Sequence, residues 1–500
     1  MSLFGKERIC GVIAAATLEA MRQQLREAAK LTGTVELRLD WLAPGKPGDR
    51  DKRGQLGPLL GEWRGLCIGT ARRTGAGGRL AGSVSDQLRA LGAAARRCQW
   101  CDVETESFDP FDVSTVRLAI GKRRLLVSLH DFERTPPDLP ALVRRLERRG
   151  GDAIKIAVHC HSIADSLRVL ELCRGRRNVI AVPMGEAGLP ARVLALRHGS
   201  ALAYASVREK TAPGQVTLEE MKLRYRADQL DRRSRVYGLV GHPVSQSLGP
   251  VLHNAGFIAR GLNDVYLPFL TRKLPDFLSA IEPLEIAGFS VTLPFKQAIL
   301  KHLHDCDPLA EAIGAVNTVV VRGRGRLYGY NTDYVGVLRA LQKRVRLRGS
   351  RVLLYGAGGA ARAVAFALAQ EGAVVGICAR REQQARTLAR AVGGEVVSRR
   401  RLRAEFFDAI VNATPVGMHP HADASPLEAG ELNCRLVFDL IYRPVKTKLL
   451  RIAEQCGLET VGGIEMFLAQ GMAQFEIWTG LRAPDKQMRT AVLKALGEEK

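Results

Sequence analysis

An α/β protein is predicted along the whole chain, and three observations predict it. Eight apolar runs of strand length recur through about the first 210 residues, with helix-like stretches between most of them. A glycine-rich turn joins an apolar strand to an alanine-rich helix within 351–369. The composition is that of an ordinary globular protein, with 46% hydrophobic and 25% charged residues in 500. At about 150 residues per domain the length allows about three domains, each able to bury a core without disulfide or metal staples.

The first-half runs are RICGVIA, TVELRLDW, GLCIGTAR, WCDVETE, RRLLVSLHD, GDAIKIAV, NVIAVPMG and ALAYASV. Their starts lie about 23 to 35 residues apart, the length of one strand–helix unit. Helix-like stretches such as TLEAMRQQLREAAKL, SVSDQLRALGAAARR and SIADSLRVLELCRG separate them. Eight such units predict a closed (β/α)8 barrel over residues 1–231. An open doubly wound sheet is the alternative, but it has fewer units and a glycine-rich first turn, which ICGVIAAAT lacks.

In a barrel, chemistry belongs at the carboxyl ends of the strands. The polar residues there are Glu36, Arg38, Arg72, Glu104, His130 with Asp131, and Lys155, followed by Met184. Lys155 lies inside the apolar segment A-I-K-I-A, where desolvation favours a neutral, nucleophilic amine. Taken alone, such a lysine is more often paired with a carboxylate. Here His130, one unit earlier, supplies a base, and Arg72 and Arg192 supply cations for a carboxylate. An imine on Lys155 would acidify the neighbouring C–H for His130 to remove, which is lyase chemistry without a metal.

Charge and cysteines narrow the partners. Lys and Arg number 74 against 51 Asp and Glu, a net +23. The basic residues are scattered in pairs and only 6% of residues are aromatic, so no stacking platform for nucleic acid is expected. Anionic small molecules suit the sum better. No run of 18 apolar residues occurs, so no membrane span is expected. Ten cysteines, mostly within apolar runs, read as reduced core thiols of a cytoplasmic protein. Cys98 and Cys101 form a lone C-x-x-C and His159 and His161 a lone H-x-H, so no metal is expected.

At these strand ends a resemblance becomes specific. E-L-R-L-D at 36–40, S-L-H-D-F at 128–132, D-A-I-K-I-A at 152–157 and A-P-G-Q at 212–215 resemble type I 3-dehydroquinate dehydratases. The resemblance implies a Schiff base on Lys155, proton transfer by His130, and substrate contacts from Glu36, Arg38, Arg72, Met184, Arg192 and Gln215. The family's R-x-x-x-E-G-G reads Arg72-Arg73-Thr74-Gly75-Ala76-Gly77-Gly78, so Ala76 replaces the acidic residue that assists the histidine.

T-L-E-E at 217–220 is a capping-box start, and the short charged stretch at 228–236 marks a domain boundary. A new strand, YGLVG, opens the second half. Further on, RVLLY leads into Gly356-Ala357-Gly358-Gly359-Ala360-Ala361, a G-x-G-x-x-A pattern. Gly356 permits the tight turn, Gly358 lets the backbone approach a pyrophosphate, and Ala361 allows close helix packing. The next strand, VVGICA, ends in Arg380-Arg381 where an acidic residue would bind a ribose hydroxyl. Arginines there suit a 2′-phosphate, so NADP is expected.

V-T-L-P-F-K at 291–296, A-V-N-T at 315–318, Y-N-T-D at 330–333, H-P-V-S-Q-S-L-G-P at 242–250 and V-N-A-T-P-V-G-M at 411–418 together resemble shikimate dehydrogenases. That resemblance implies Lys296 and Asp333 as the proton-transfer pair and Ser247, Thr292, Asn317, Tyr442 and Gln470 around the substrate. Asn412, Thr414, Met418 and Gly463 would lie near the nicotinamide. Gly249 stands where the family has a second serine. The layout expected is a substrate domain over 235–335, completed by 464–500, with a nucleotide-binding Rossmann domain over 345–463.

Joined, the two halves resemble the bifunctional family that dehydrates 3-dehydroquinate to 3-dehydroshikimate and reduces that ketone to shikimate. Two alternatives remain. One is a dehydratase-impaired fusion acting mainly as a quinate/shikimate dehydrogenase; the other is a non-catalytic basic scaffold.

Overall fold

The computed structural model describes residues 3–42, 61, 63–109, 111–208, 214–342 and 344–497. The chain forms two compact units, Met1–Arg235 with Asn263–Leu284, and Val236–Leu262 with Glu285–Lys500.

The first sheet has eight strands: β1 Ile9–Ile13, β2 Thr34–Arg38, β3 Leu66–Thr70, β4 Trp100–Glu104, β5 Arg124–Asp131, β6 Ala153–His159, β7 Val179–Met184 and β8 Ala203–Ser206. Each coincides with an apolar run. The buried strands carry apolar residues on both faces because side chains fill the inside and helices cover the outside. The covering helices start where the sequence offers a side-chain acceptor. Thr17, Ser83, Asp112, Asp138 and Ser162 each accept a helix N–H, and Ser83 with Asp86 and Ser162 with Asp165 complete capping boxes.

The parallel ladder runs β7-β6-β5-β4-β3-β2-β1-β8. The expected closed barrel is therefore nearly closed, with a seam between β7 and β8. On one side of the seam β8 is four residues long and pairs with β1 over its whole length. The seam is bridged at one end, where Ala201 N–H donates to Val179 O at 2.9 Å. Ser200 Oγ supports it, accepting from Ala181 N–H at 3.1 Å and donating to Leu202 O at 2.8 Å.

The T-L-E-E capping box forms, with Thr217 N–H on Glu220 Oε2 at 3.0 Å and Glu220 N–H on Thr217 Oγ1 at 3.1 Å. The helical turn it starts, Glu220–Arg224, is a single π turn.

A mixed sheet follows, of β9 Val236–Gly241, β10 Val265–Leu270, β11 Ile286–Val291, β12 Asp305–Cys306, β13 Thr318–Arg322 and β14 Arg326–Tyr330. Its order is β10-β9-β11-β13-β14-β12. Helices Gly249–Ala259 and Ile464–Thr479 pack closely because glycines face large side chains. A Cβ on Gly471 would lie 2.2 Å from Leu252, and one on Gly256 would lie 2.9 Å from Phe475. The last sheet holds β15 Arg351–Tyr355, β16 Val374–Cys378, β17 Glu395–Val396, β18 Phe407–Asn412, β19 Cys434–Asp439 and β20 Glu459–Val461. Its parallel order, β17-β16-β15-β18-β19-β20, is the 3-2-1-4-5-6 doubly wound arrangement, so nucleotide chemistry belongs at the carboxyl end of β15.

Ser200 lies where the barrel ladder stops, and replacing it by alanine leaves the buried Ala181 N–H without its acceptor. Ser200→Ala should destabilise the barrel by roughly 1–3 kcal/mol, read as a lower thermal transition by calorimetry. An unchanged transition would mean that the seam does not depend on this hydroxyl.

Candidate active sites

Glu36, Arg38, Arg72, His130, Lys155, Met184, Arg192 and Gln215 all line one pocket of the barrel. Of the A-P-G-Q segment, Ala212 and Pro213 lie outside the described residues. Alternate strands supply the inward layer, as barrel geometry requires: Glu36 from β2, Asp102 from β4, Lys155 from β6 and Tyr204 from β8. Lys155 Nζ lies 3.1 Å from Glu36 Oε1 and is hydrogen-bonded to Asp102 Oδ2. Arg72 Nη2 donates to the same Asp102 oxygen at 3.1 Å. Thr70 Oγ1 donates to Glu36 at 2.8 Å.

Lys155 is thus buried, as its apolar strand predicts, but within a charge cluster rather than in purely apolar surroundings. Glu36 shows the effect. Burial opposes its charge, yet Lys155, then Arg72 and Arg38, hold its carboxyl well below the usual range.

His130 is in the opposite situation. Burial, then the Arg72, Lys155 and Arg38 cations, push its imidazole well below the ordinary range, so it is a neutral base. Its Nδ1 has no hydrogen-bond partner among the described residues. Arg192 is buried, donates from Nε to Pro183 O at 3.2 Å, and forms no ion pair with a described residue. Burial lowers its guanidinium to about 10. An uncompensated cation in a pocket wants an anionic ligand.

Two strand-end residues expected in the pocket point elsewhere. Glu104 accepts from Arg73 N–H at 3.0 Å and from Gln87 Nε2, behind the β3 loop. Asp131 caps the turn after β5 by accepting from Glu133 and Arg134 N–H groups. A polar residue at a strand end faces the pocket only if the pleat turns it inward and no loop backbone claims it. Asp102 and Tyr204, which sequence reasoning missed, satisfy both conditions. Their inward parity on β4 and β8 was the available signal.

The second site centres on Lys296, whose Nζ lies 2.6 Å from Asp333 Oδ2. Asn317 Nδ2 donates to Asp333 Oδ1 at 2.8 Å. The amide is held this way round because Asn317 Oδ1 accepts from Thr318 Oγ1 at 2.7 Å and Thr332 N–H at 2.8 Å. Gln470 Oε1 lies 3.4 Å from the same Asn317 nitrogen. Gln474, one helical turn on and not foreseen, donates to Thr318 Oγ1 at 2.9 Å and Asn317 O at 3.1 Å. Thr292 follows β11 and is half-buried. Ser247 accepts from Gly249 N–H at 3.1 Å and shares a hydrogen bond with Tyr442, whose phenol burial pushes up.

Lys296 also meets the nucleotide turn, since a Cβ on Gly359 would lie 3.0 Å from Lys296 Cβ. Gly356 has φ +125°, and a Cβ there would lie 3.0 Å from Ala413 O. Around the Cβ position of Gly358 there is open space, as a bound pyrophosphate needs. Ala357 and Ala360 flank these glycines, and the helix Gly359–Gln370 begins within the turn. Arg380 and Arg381 follow β16, are exposed, and make no ion pair with a described residue. The residues present therefore fit a dinucleotide carrying a 2′-phosphate.

Asn412 ends β18, Thr414 and Met418 lie on the loop that follows it, and Gly463 immediately precedes the helix Ile464–Thr479. Gly463 has no room for a side chain, as its Cβ would lie 2.2 Å from Leu440 O. Asp439, at the end of β19, was not foreseen. It accepts from Asn412 Nδ2 at 2.9 Å, Ile441 N–H at 3.1 Å and Thr447 Oγ1 at 2.7 Å. Asn412 Oδ1 in turn accepts from Thr414 N–H at 3.0 Å. The carboxyl thus ties the Thr414 loop to the loop bearing Tyr442. Burial pushes it up to about 6 against these hydrogen bonds.

A barrel with a lysine-centred pocket, joined to a nucleotide-binding α/β unit with a lysine–aspartate pair, defines a fused lyase and dehydrogenase. Comparison with known proteins gives the family. Residues 9–232 match the model for type I 3-dehydroquinase, 239–319 that for the shikimate dehydrogenase substrate binding domain, and 463–493 that for the shikimate 5′-dehydrogenase C-terminal domain. The bifunctional 3-dehydroquinate dehydratase/shikimate dehydrogenase of Arabidopsis thaliana, a chloroplastic protein, is 34% identical over 95% of this chain and 82% of its own length. The NADP(+) shikimate dehydrogenase of Symbiobacterium thermophilum is 44% identical over 52% of this chain and 95% of its own. The crystal structure of shikimate 5-dehydrogenase from Thermus thermophilus with NADP(H) and shikimate shares 38% identity and a TM-score of 0.48, covering 52% of this chain and 99% of that one. The chain belongs to the bifunctional 3-dehydroquinate dehydratase/shikimate dehydrogenase family, an NADP-dependent one.

Asp439 yields a pH prediction. Its folded value near 6 lies above the ordinary aspartate value, so the folded state binds the proton more tightly than the unfolded state. This contribution to stability is fully present below about pH 4 and is lost as pH rises through about 6, by roughly 3 kcal/mol at most. Asp439→Asn should flatten that decline in a series of thermal melts between pH 4 and 7. A slope equal to wild type would show that Asp439 does not titrate there.

Proposed function

We propose that residues 1–231 dehydrate 3-dehydroquinate through an imine on Lys155, and that the rest reduces 3-dehydroshikimate to shikimate with NADPH. The observation that carries the first half is a primary amine in a pocket shared with a neutral imidazole and a guanidinium, Arg192, without an ion pair among the described residues. Arg192, with Gln215, receives the substrate carboxylate, and Met184 packs against the ring. Once deprotonated, Lys155 Nζ adds to the ring ketone and water leaves, forming the imine. His130 removes the adjacent proton, and the enamine electrons expel the hydroxyl one carbon further on. That hydroxyl leaves as water with the proton His130 returns, and hydrolysis of the imine releases the enone. Glu36, Arg38 and Arg72 hold the lysine and the ring hydroxyls in place.

In the second half, Ser247, Thr292, Asn317, Tyr442 and Gln470 hold the ring acid against Lys296. Gly356, Ala357, Gly358, Gly359 and Ala360 receive the pyrophosphate, and Arg380 and Arg381 the 2′-phosphate. Asn412, Thr414, Met418 and Gly463 border the nicotinamide. Bound NADPH supplies the hydride. Lys296 gives a proton to the alkoxide oxygen, and Asp333, oriented by Asn317, steadies the ammonium. The division proposed is 1–231, then 235–335 completed by 464–500, and 345–463. Packing of Gly256 on Phe475 and of Gly471 on Leu252 supports the completion by the C-terminal helices. Small anionic acids are the proposed partners, without nucleic acid, and the cytoplasm the proposed compartment. Among the described residues no helix is long and apolar enough to cross a membrane.

A second reading has its own observation. Gly249 offers no side-chain hydroxyl near Ser247, and Ala76 offers no carboxylate in the loop after β3. These favour slower dehydration and acceptance of quinate by the dehydrogenase half.

Borohydride with 3-dehydroquinate or 3-dehydroshikimate should fix a covalent adduct on Lys155, mapped by mass spectrometry. An adduct on another lysine, or none at saturating ligand, would defeat the imine assignment. Gly249→Ser should restore a donor to the carboxylate and raise the ratio of shikimate to quinate efficiency about tenfold or more. If wild type leaves quinate untouched and the serine variant leaves shikimate kinetics unchanged, position 249 lies outside the carboxylate pocket.

A further inference from the structure

Tyr204 completes the layer of alternate-strand residues around Lys155, yet the dehydration steps give it nothing to do. Its ring lies against the amine, with Lys155 Nζ 4.6 Å from the ring centroid. It lines the pocket and is 6% exposed. Its phenol oxygen is buried and has no hydrogen-bond partner among the described residues. Burial, then the Glu36 carboxylate and the neighbouring Cys10 and Asp102, keep the phenol protonated far beyond physiological pH. A strand can carry phenylalanine at such a position without penalty. A buried hydroxyl with no partner costs stability, and that cost is tolerated where a ligand supplies the partner.

We propose that Tyr204 is a substrate-contacting residue of the dehydration site, donating its O–H to the oxygen on the carbon that bonds to Lys155. The inference rests on the reading of Lys155 as the imine-forming residue. When Nζ adds to the ketone, the N–C bond forms and the carbonyl π pair moves onto oxygen, which takes up the proton released by the nitrogen. The C–O bond then breaks, that oxygen leaving as water with the proton first removed from the Lys155 ammonium, and the C=N bond forms as the protonated imine. The carbon that bonds to Nζ is brought next to the ring that packs on that amine. The phenol keeps its own proton throughout and stabilises the oxygen while it carries negative charge. Donation at this point serves imine formation and not the later proton abstraction by His130.

Tyr204→Phe keeps the ring and removes only the donor. The initial rate of borohydride-trapped adduct at Lys155 with 3-dehydroshikimate should fall roughly 3- to 10-fold, and kcat/KM for dehydration should fall with it. Shikimate oxidation by the same full-length protein should be unchanged. The thermal transition of the ligand-free variant should equal or exceed that of wild type, because an unpaired buried hydroxyl has been removed. Unchanged trapping and kcat/KM would overturn the inference while leaving the Lys155 reading intact. A lower ligand-free transition would also overturn it, by showing that the hydroxyl is bonded within the fold. No adduct in wild type would overturn the Lys155 reading and this inference together.

Discussion

The barrel site depends on keeping two cations and two anions together out of water. Lys155, Arg72, Glu36 and Asp102 are each less than 5% exposed. Removing one such ion from water costs several kcal/mol, and only mutual pairing with good geometry repays it. The four charges cancel, and the shared Asp102 oxygen joins Lys155 to Arg72. Their positions follow from barrel geometry, since β2, β4 and β6 each turn one residue inward at the same level. Arg192 is left over. With no ion pair to a carboxylate among the described residues, this buried guanidinium leaves a positive charge in the pocket that an anion would balance.

Much of this is legible in the sequence, because the signals are local. Strand length, apolar runs and cap residues each involve fewer than about ten neighbours, and the strands appear where those runs lie. Glu36, His130 and Lys155 stand out because polar residues are conspicuous inside apolar strands. Asp102 and Tyr204 are as inward-facing but sit in W-C-D-V-E and A-L-A-Y-A-S, where strand parity alone marks them. Their importance comes from contacts across the barrel, such as the 53-residue separation between Asp102 and Lys155. Glu104 is the converse case. It sits at a strand end like the others, but Gln87 and the Arg73 backbone claim it, and neither partner can be anticipated from spacing.

The dehydrogenase half divides the same way. Glycines at 356 and 358 announce their turn because backbone conformation and close approach demand that residue type. The orienting groups do not announce themselves. Thr318, Thr332 and Gln474 together decide which way the Asn317 amide faces, and so whether an N–H₂ group or an oxygen meets Asp333. Asp439 performs a parallel task for the loops of Thr414 and Tyr442. These supports are ordinary polar residues in helices and strand ends, and only the closed hydrogen-bond circuit distinguishes them.

The cations around His130 also give Ala76 a physical meaning. Burial, together with the cations Arg72, Lys155 and Arg38, disfavours the His130 imidazolium. A carboxylate at position 76 would offset those cations and make the imidazole a stronger base. Without it, the imidazole is a weaker base but, once protonated, a stronger acid. In the elimination proposed for His130 the two halves would therefore shift in opposite directions: abstraction of the C–H proton would become harder, and protonation of the departing hydroxyl easier. The imine can absorb part of that difference, since electron withdrawal by a protonated C=N acidifies the C–H without help from the base. In such a site, catalysis leans more heavily on forming the imine well, and the residues that hold Lys155 and its substrate carbon matter more than the identity of the base.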